Sequence, residues 1–187
     1  MSSKENIMPY YEGAPVFTSQ YAVEFEQLLD IFRLKEPMNI LEIGVHHGGT
    51  LWHWINEAPD YARIVAVDNY HINSHLYSDW LTRPLHLVKV HGDSTALETT
   101  DKIIDDGPYD FVFIDGGHDF KTVNSDWATV QAALNENAIV AFHDILPHPH
   151  SEVSKLWDWI KKLELYKTQE LISDPNQTGC GIGVVYV

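Results

Sequence analysis

The feature that most constrains this chain is a series of five short apolar runs separated by stretches with helical spacing. The runs are nearly continuous in hydrophobicity and often β-branched, which is typical of strands covered on both faces of a parallel sheet. They are residues 39–44, 64–67, 85–90, 111–114 and 138–142. Strands that alternate with helices along the chain predict a doubly wound α/β fold with right-handed crossovers.

The helical stretches each carry a stripe of apolar residues on one face. Such spacing marks the side of a helix that packs on a core, and we assign these residues no chemical role. The stripes are Phe25, Leu28, Leu29 and Phe32 before the first strand, Val123, Trp127, Val130 and Leu134 before the fifth, and Val153, Leu156, Trp157 and Ile160 after it.

The C-terminal part departs from this alternation. Residues 165–172 and 181–187 are predicted as two further strands, joined by a turn-rich segment, so a mostly parallel sheet of seven strands ends in an antiparallel pair. The 187 residues suit a single domain, with an N-terminal helical or cap segment over about 1–35 and a core over about 38–187.

The charge of the chain restricts its partners. Twelve Lys and Arg against 27 Asp and Glu give a formal charge of −15, which repels polyanions and argues against nucleic acid. No apolar run approaches the roughly 20 residues of a membrane span, and the N-terminus lacks the apolar stretch of a secretory signal, so we expect a cytoplasmic protein without a membrane partner. A single cysteine, Cys180, excludes an internal disulfide and a Cys-rich zinc site.

Acidic residues accompany the five predicted strands at regular intervals. Glu42 lies inside the first strand, and Asp68, Asp93, Asp115 and Asp144 follow the others at gaps of 26, 25, 22 and 29 residues. A lone Asp is commonly a turn residue or a helix cap. Because parallel strands bring their carboxyl ends to one edge, where open α/β sheets bind ligands, five acids in phase predict a site there.

The first strand runs into a glycine-containing loop, Gly44-Val-His-His-Gly48-Gly49-Thr50, before a helix opens near Thr50. Glycines allow a sharp turn and close approach of the backbone to a ligand. A dinucleotide site would have glycine where this chain has His46, and a side chain there disfavours a pyrophosphate. The loop is compatible with a smaller zwitterion.

Together these motifs resemble the class I methyltransferases, which use S-adenosylmethionine on a Rossmann-like sheet. The Glu42-x-Gly44-x-x-x-Gly48 loop, Asp68 and the Gly92-Asp93-Ser94 turn are similar to their cofactor site. Phe113-Ile-Asp115-Gly-Gly-His118, Asp126-Trp127 and Ala141-Phe-His143-Asp144 resemble more narrowly the metal-dependent small-molecule O-methyltransferases of the macrocin and cephalosporin-hydroxylase-like group. The resemblance spans roughly residues 38 to 146, and the Gly179-Cys-Gly-Ile-Gly183 tail also fits it.

The resemblance implies a set of cofactor-binding residues. Asp68 would accept hydrogen bonds from both ribose hydroxyls, and Asn69, Asp93 and Ser94 would flank the adenine. Glu42 and the loop after the first strand would hold the amino acid end of the donor. Asp115 is a further cofactor-binding candidate. The residues of that loop region are Glu42, Gly44, His46, His47, Gly48 and Thr50; for His46 and His47, plain loop histidines are an equal alternative.

The resemblance also implies a divalent metal held by Asp115, His143 and Asp144 beside the reactive methyl. Relatives tend to have oxygen ligands at all three positions, so His143 is a departure. Magnesium prefers oxygen, whereas imidazole suits manganese, iron, cobalt or zinc. Either His143 coordinates such a softer ion or it has left the metal and acts as a base; a metal-free site in which the two carboxylates only hydrogen-bond is a further alternative.

His118 is our choice for the general base, because imidazole titrates near neutral pH and the residue follows Asp115 by three positions. A structural histidine that bonds a loop carbonyl is the alternative. With Asp115 and His143, it completes the candidate catalytic set for transfer to a small-molecule hydroxyl.

Other functions and the acceptor stay open at the level of sequence. The same Asp and His residues would suit a metal-dependent hydrolase, and a non-catalytic protein that binds S-adenosylmethionine without turnover is a third alternative. The acceptor pocket is expected from the first 20 residues, about 70–83 and 146–151. Candidates after the second strand are Tyr70, His71, His75, Tyr77 and Trp80, for which surface residues of a helix are an equal alternative. Aromatic residues near the N-terminus either cover a neighbouring subunit in a homo-oligomer or cover the chain's own site; they are Tyr10, Tyr11, Phe17 and Tyr21.

Overall fold

A computed structural model describes residues 18–70 and 81–187, and within them the chain forms five helices and seven strands. The helices are α1 (Ala22–Lys35), α2 (Gly49–Glu57), α3 (Leu97–Asp106), α4 (Phe120–Gln131) and α5 (Val153–Leu163). The strands are β1 (Asn39–Ile43), β2 (Arg63–Asp68), β3 (His86–His91), β4 (Tyr109–Ile114), β5 (Leu134–His143), β6 (Lys167–Leu171) and β7 (Ile182–Tyr186).

The seven strands form one sheet in the order β3-β2-β1-β4-β5-β7-β6. Strands β1 to β5 are parallel, whereas β7 runs antiparallel to both β5 and β6. The order reverses at β1, so the loops after β1 and β4 diverge and leave a crevice between them. The predicted doubly wound sheet with an antiparallel C-terminal pair is therefore confirmed.

Two apolar cores lie on opposite faces of the sheet. One combines α1 and α2 with side chains such as Ile40 and Phe113, and the other combines α3, α4 and α5 with side chains such as Leu41 and Val112. Successive strand residues point to opposite faces, so burial on both sides explains the continuous apolar runs. The predicted stripes on α1 and α5 are buried in these cores.

One residue of the predicted helical stripes lies in a strand. Helix α4 ends at Gln131, and Leu134 is the first residue of β5, which is ten residues long. Leu134 follows Val130 by four residues, which continues the helical pattern. However, the backbone N–H of Tyr109 donates to the carbonyl of Ala133, and this hydrogen bond fixes the start of the strand. The prediction that Leu134 belongs to the helix was therefore wrong.

No helix in the ranges 18–70 and 81–187 has both the length and the apolar character needed to cross a membrane.

His53 makes the stability of the fold depend on pH. It is 1% exposed on α2 and contacts the ring of Phe25 edge-on, with centroids 4.9 Å apart. Burial lowers its pKa from 6.5 to about 4, so the folded protein keeps it neutral where the unfolded chain binds a proton. Its contribution to the free energy of unfolding is thus present above pH 6.5 and is lost as the pH falls towards 4.

We expect His53→Gln to remove this part of the acid sensitivity. Between pH 7.5 and 4.5 the unfolding free energy of the variant should fall by about 2–3 kcal/mol less than that of the wild type. Urea unfolding at both pH values measures the difference. His86→Gln removes an exposed histidine at the start of β3 and should behave like the wild type; equal losses in all three proteins would contradict the assignment.

Candidate active site

A cavity of about 590 Å³ opens at the carboxyl ends of the parallel strands. Residues that follow β1, β2, β3, β4 and β5 all reach its wall, and the segment before α1 completes it. The acids Asp68, Asp93, Asp115 and Asp144 line this one cavity. Their regular spacing in the sequence thus corresponds to a shared edge of the sheet, as predicted.

The loop after β1 approaches the end of β4 closely at Gly44. This residue has φ +90°, and a Cβ built on it would lie 2.1 Å from the carbonyl oxygen of Asp115. Gly48, with φ +84°, precedes α2 and donates its N–H to the carbonyl of Val45 at 2.8 Å. Both glycines are needed where the chain turns tightly from β1 into the helix.

We expect Gly44→Ala to destabilise the protein by about 3 kcal/mol or more. The left-handed backbone costs an L residue roughly 1–2 kcal/mol, and the methyl group would also displace the backbone of the β4 loop. Chemical denaturation measures the loss. Gly107→Ala should cost less because Gly107 has no positive φ, although its Cβ would meet Cβ of Ala133 at 2.9 Å and the carbonyl oxygen of Ala133 at 3.1 Å; an equal or larger cost would contradict the argument.

Asp68 ties the ends of β1 and β2 together. Its Oδ2 accepts the backbone N–H groups of Val45 at 2.7 Å and His46 at 2.6 Å, and its Oδ1 accepts that of Tyr70 at 2.7 Å. A carboxylate offers about four lone-pair positions, so three are used within the protein. The structure leaves room for about one further donor, whereas the sequence predicted that Asp68 would bind two ribose hydroxyls.

Most of the predicted cofactor-binding residues line the cavity. They are Gly44, His46, His47, Thr50, Asp68, Asn69, Asp93, Ser94 and Asp115. Two others do not lie on its wall. Gly48 is buried at the start of α2, where it shapes the loop, and Glu42 is fully buried within β1.

Glu42 lies beneath the cavity because the alternation of the strand directs its side chain to the face that α1 and α2 cover. Neither carboxyl oxygen has a hydrogen-bond partner among the described residues, 18–70 and 81–187. Burial raises its pKa well above the ordinary value, and the charges of Asp115 and Asp68 raise it further. Glu42 thus lies beneath the cavity rather than on its wall, and its predicted contact with the cofactor stays a prediction.

Two carboxylates and two imidazoles meet at the other end of the cavity. Nδ1 of His143 lies 3.2 Å from Oδ1 of Asp115 and 3.4 Å from Oδ1 of Asp144. Nε2 of His118 lies 2.8 Å from Oδ2 of Asp144. The catalytic and metal-binding residues predicted from the sequence therefore form one connected cluster on the cavity wall.

The charges within this cluster shift its titration. Burial lowers the pKa of His143, but the carboxylates of Asp115 and Asp144 outweigh this effect and raise the pKa to about 9. The contact with Asp144 raises the pKa of His118 against the effect of burial. Burial opposes ionisation of Asp144, yet both imidazoles keep its pKa below the ordinary value. The two imidazoles thus favour the ionised form of Asp144.

Cys180 belongs to this end of the site, although the sequence suggested no role for it. Ligand atoms of His143, Asp144 and Cys180 all lie within 4.8 Å of one another. Asp115, predicted as the third metal ligand, contacts this group through His143. Burial raises the pKa of the Cys180 thiol to about 11, with smaller contributions from the charges of Asp144 and Glu24. The only sequence signal was a single cysteine between two glycines.

Gln20 is a second residue that the sequence did not single out. It is 2% exposed, and its Nε2 donates to Oδ2 of Asp115 at 2.8 Å. With Thr18 and Ser19 it brings the segment before α1 onto the cavity wall, where the sequence predicted part of the acceptor pocket. The further candidates in that segment, Tyr10, Tyr11 and Phe17, lie outside the described residues, as do His71 and His75.

Comparison with known proteins agrees with this architecture. The family model of a methyltransferase domain matches residues 41–145, more than half of the chain. No curated protein matches the sequence significantly. Among solved structures, an O-methyltransferase from Bacillus cereus in complex with S-adenosylhomocysteine has a TM-score of 0.66 at 15% identity, over 88% of this chain and 80% of its own.

Two further structures show the same fold. The O-methyltransferase TomG from Streptomyces achromogenes, involved in tomaymycin synthesis and bound to S-adenosylmethionine, has a TM-score of 0.69 at 16% identity over 98% of this chain and 88% of its own. MycE, a methyltransferase from the mycinamycin biosynthetic pathway in complex with magnesium and S-adenosylhomocysteine, has a TM-score of 0.62 at 20% identity over 92% of this chain and 51% of its own.

The fold and the site therefore define a methyltransferase of class I. The chain belongs to the methyltransferase-domain family, and the prediction of an S-adenosylmethionine-dependent methyltransferase is confirmed.

Proposed function

We propose that this protein transfers the methyl group of S-adenosylmethionine to a hydroxyl group of a small molecule, with assistance from a divalent metal. The observation that carries the proposal is the division of the cavity into two ends. One end has the glycine loop with Asp68, Asn69 and Asp93, and the other has Asp115, His118, His143 and Asp144.

The first end suits the methyl donor. Asp68 would accept a ribose hydroxyl at its remaining lone pair, and Asp93 and Ser94, which line the same end of the cavity, would flank the adenine. Helix α2 begins at Gly49, directly on the cavity wall, so its unpaired N–H groups favour a carboxylate such as that of the methionine end. Both His46 and His47 are exposed at this position, with ring centroids 3.9 Å apart.

The second end suits an acceptor hydroxyl. When bound, the donor supplies an electrophilic methyl carbon on a positively charged sulfur. His118 would take the proton of an acceptor hydroxyl held at this end, and the oxygen would then be the nucleophile toward that methyl carbon, with the neutral thioether as the leaving group. Since Nε2 of His118 faces Asp144, Nδ1 is the nitrogen that we assign to accept the proton.

The residues present also fit a divalent cation. His143 is 7% exposed, and its Nε2 has no hydrogen-bond partner within the part of the chain that the structure describes, which is unusual for a buried imidazole nitrogen. Asp144 and Asp115 provide carboxylates beside it. A cation held there would lower the pKa of a coordinated hydroxyl and orient its oxygen.

Three observations favour a small hydroxylated acceptor. The cavity of about 590 Å³ falls in the range of small-molecule sites. The net charge of −15 disfavours a nucleic acid acceptor. Both the Bacillus cereus protein and TomG are named O-methyltransferases, and MycE contains magnesium. These likenesses support the proposal without naming the acceptor.

The experiment that tests the donor site compares two aspartates with similar backbone contacts. Asp68→Ala is expected to weaken binding of S-adenosylhomocysteine by about a hundredfold, because hydrogen bonds to a charged group contribute about 1.5–3 kcal/mol. Isothermal titration calorimetry measures the affinity. Binding as tight as in the wild type would contradict the assignment of the donor end.

Asp110→Ala is the matched control. Its Oδ2 accepts the N–H groups of Met38 at 2.9 Å and Asn39 at 2.8 Å, much as Asp68 does, but at the amino ends of the strands. We expect it to lower stability with no loss of affinity. A comparable loss of affinity in both variants would show that the effect of Asp68→Ala comes from backbone support alone.

Turnover and metal dependence test the rest of the proposal. A panel of catechols, phenols and sugars, assayed after chelation and again with added magnesium, manganese, cobalt or zinc, should show methyl transfer that needs an added ion. Tight binding of the demethylated product in the calorimetry would argue against a hydrolase that uses the same Asp and His residues. Donor binding with no transfer to any acceptor would support a non-catalytic binder.

A further inference from the structure

The structure places Cys180 beside two of the residues that the proposed function assigns to a metal. Donor atoms of His143, Asp144 and Cys180 lie within 4.8 Å of one another. In a tetrahedral site with Zn–S of about 2.3 Å and Zn–N of about 2.0 Å, neighbouring donors are roughly 3.3–3.8 Å apart. Side-chain adjustments of about 1 Å would therefore bring the three donors around one ion.

Backbone contacts hold the two loops that carry these donors against each other. The N–H of Leu146 donates to the carbonyl of Cys180 at 3.1 Å, and that of Ile145 donates to Gly181 at 3.3 Å. The fully buried carboxylate of Glu24 accepts the N–H of Gly181 at 3.0 Å. These hydrogen bonds, made by the carbonyl of Cys180 and by both polar backbone groups of Gly181, hold Cys180 beside Asp144.

The surroundings of His143 are those of a metal-binding histidine. Such a histidine generally directs its second nitrogen to a carboxylate, which fixes the orientation of the ring. Nδ1 of His143 faces Asp115 at 3.2 Å, whereas Nε2 is buried with no hydrogen-bond partner among residues 18–70 and 81–187. Coordination through Nε2 would give that atom a partner and leave Asp115 as the orienting carboxylate. It requires the imidazole and Asp144 to shift relative to each other, because Nδ1 is the nitrogen that lies 3.4 Å from Oδ1 of Asp144.

The chemistry of the donors selects the ion. Magnesium binds oxygen in octahedral geometry and has little affinity for sulfur, whereas a thiolate, an imidazole and a carboxylate suit zinc or cobalt. Three protein ligands leave the fourth position of a tetrahedral ion open, as in catalytic zinc sites. His143 and Asp144 line the cavity, so an ion between them would be accessible to a ligand there.

We propose that His143, Asp144 and Cys180 bind a thiophilic divalent cation of the zinc and cobalt class, with Asp115 as the residue that positions His143. The inference rests on the metal site of the proposed function and changes both its third ligand and its preferred ion.

Cobalt titration of the full chain tests this directly. The protein is treated with a chelator, kept reduced with a phosphine rather than a thiol, and titrated with Co²⁺ alone. A thiolate ligand produces an intense sulfur-to-cobalt charge-transfer absorption in the near ultraviolet. We expect this absorption to saturate at one ion per chain, to disappear when zinc is added, and to persist in a large excess of magnesium.

Cys180→Ser separates coordination from a structural role. Serine keeps the shape of the residue but removes the thiolate, so the charge-transfer absorption should be lost. Cobalt affinity should fall by more than about a hundredfold, because loss of a residue that only supports a metal ligand typically costs 10–100-fold. Unchanged affinity for S-adenosylhomocysteine shows that the variant is folded. His150→Gln, which removes an exposed imidazole of the neighbouring loop, should keep both the absorption and the affinity.

Several results would overturn the inference. These are cobalt binding with no charge-transfer absorption, equal affinity in the wild type and Cys180→Ser, or displacement of cobalt by magnesium. If Cys180→Ser retains magnesium-dependent methyl transfer, this inference fails while the proposed function stands. If the wild type shows the thiolate absorption but transfers no methyl group, the proposed function fails while the metal site stands.

Discussion

Asp115→Ala should reduce methyl transfer by about a hundredfold to a thousandfold while S-adenosylhomocysteine binds with nearly wild-type affinity. Oδ1 of Asp115 contacts Nδ1 of His143 at 3.2 Å, and Oδ2 accepts Nε2 of Gln20 at 2.8 Å. Its loss frees the imidazole and the segment before α1 together, and misplacement of reacting groups by about 1 Å has effects of this size. Single-turnover kinetics and calorimetry measure the two quantities separately.

Asp119→Ala is the control for this prediction. Asp119 caps α4 by accepting the N–H of Thr122 at 3.0 Å, and it lies four residues beyond Asp115 but not on the cavity wall. Loss of such a cap costs about 1 kcal/mol of stability, and we expect turnover to be unchanged. Wild-type turnover in Asp115→Ala would remove Asp115 from the catalytic site.

His118→Gln should lower the rate of methyl transfer by about a hundredfold. A positioned general base typically contributes that much or more, and glutamine can hold the contact with Asp144 but cannot accept the proton. The expected loss is in kcat, with KM for the donor unchanged, because the donor end of the cavity is formed by other residues. Steady-state kinetics with a saturating acceptor measure kcat and the KM for the donor separately.

Chemical rescue sharpens the prediction for His118. Added imidazole should restore part of the lost rate in His118→Gln if the missing function is proton transfer. It should have no effect on His86→Gln, which removes an exposed histidine at the amino end of β3. A loss of donor affinity instead of kcat, with no rescue, would assign His118 a structural role in the loop before α4.

The sequence by itself determined the architecture and the edge at which the site lies. Short, near-continuous apolar runs rich in β-branched residues are typical of strands covered on both faces, so the pattern predicted the sheet and its two helical layers. The spacing of Asp68, Asp93, Asp115 and Asp144 follows from one strand and one helix per unit, which is why these acids share one cavity. The boundary at Leu134 was missed because helical spacing and the start of a strand overlap there.

Local sequence patterns predict where a strand or helix lies better than they predict which of its sides faces the ligand. Glu42 shares the apparent position of the other acids, but the alternation within β1 directs it into the core instead of the cavity. Asp68 lines the cavity, yet its contacts with the N–H groups of Val45 and His46 depend on how closely the β1 loop approaches β2. Neither outcome follows from residue type and spacing alone.

Only the tertiary structure decided which distant residues join the acids. Gln20 reaches Asp115 across 95 positions, and Glu24 reaches Gly181 across 157. Strand β7 lies between β5 and β6, which brings Cys180 beside Asp144. The periodicity of a sequence depends on which face of a helix or strand is buried. The contacts of Gln20, Glu24 and Cys180 depend instead on the order of the strands and on segments that cross the end of the sheet. They therefore form only when the whole chain is folded.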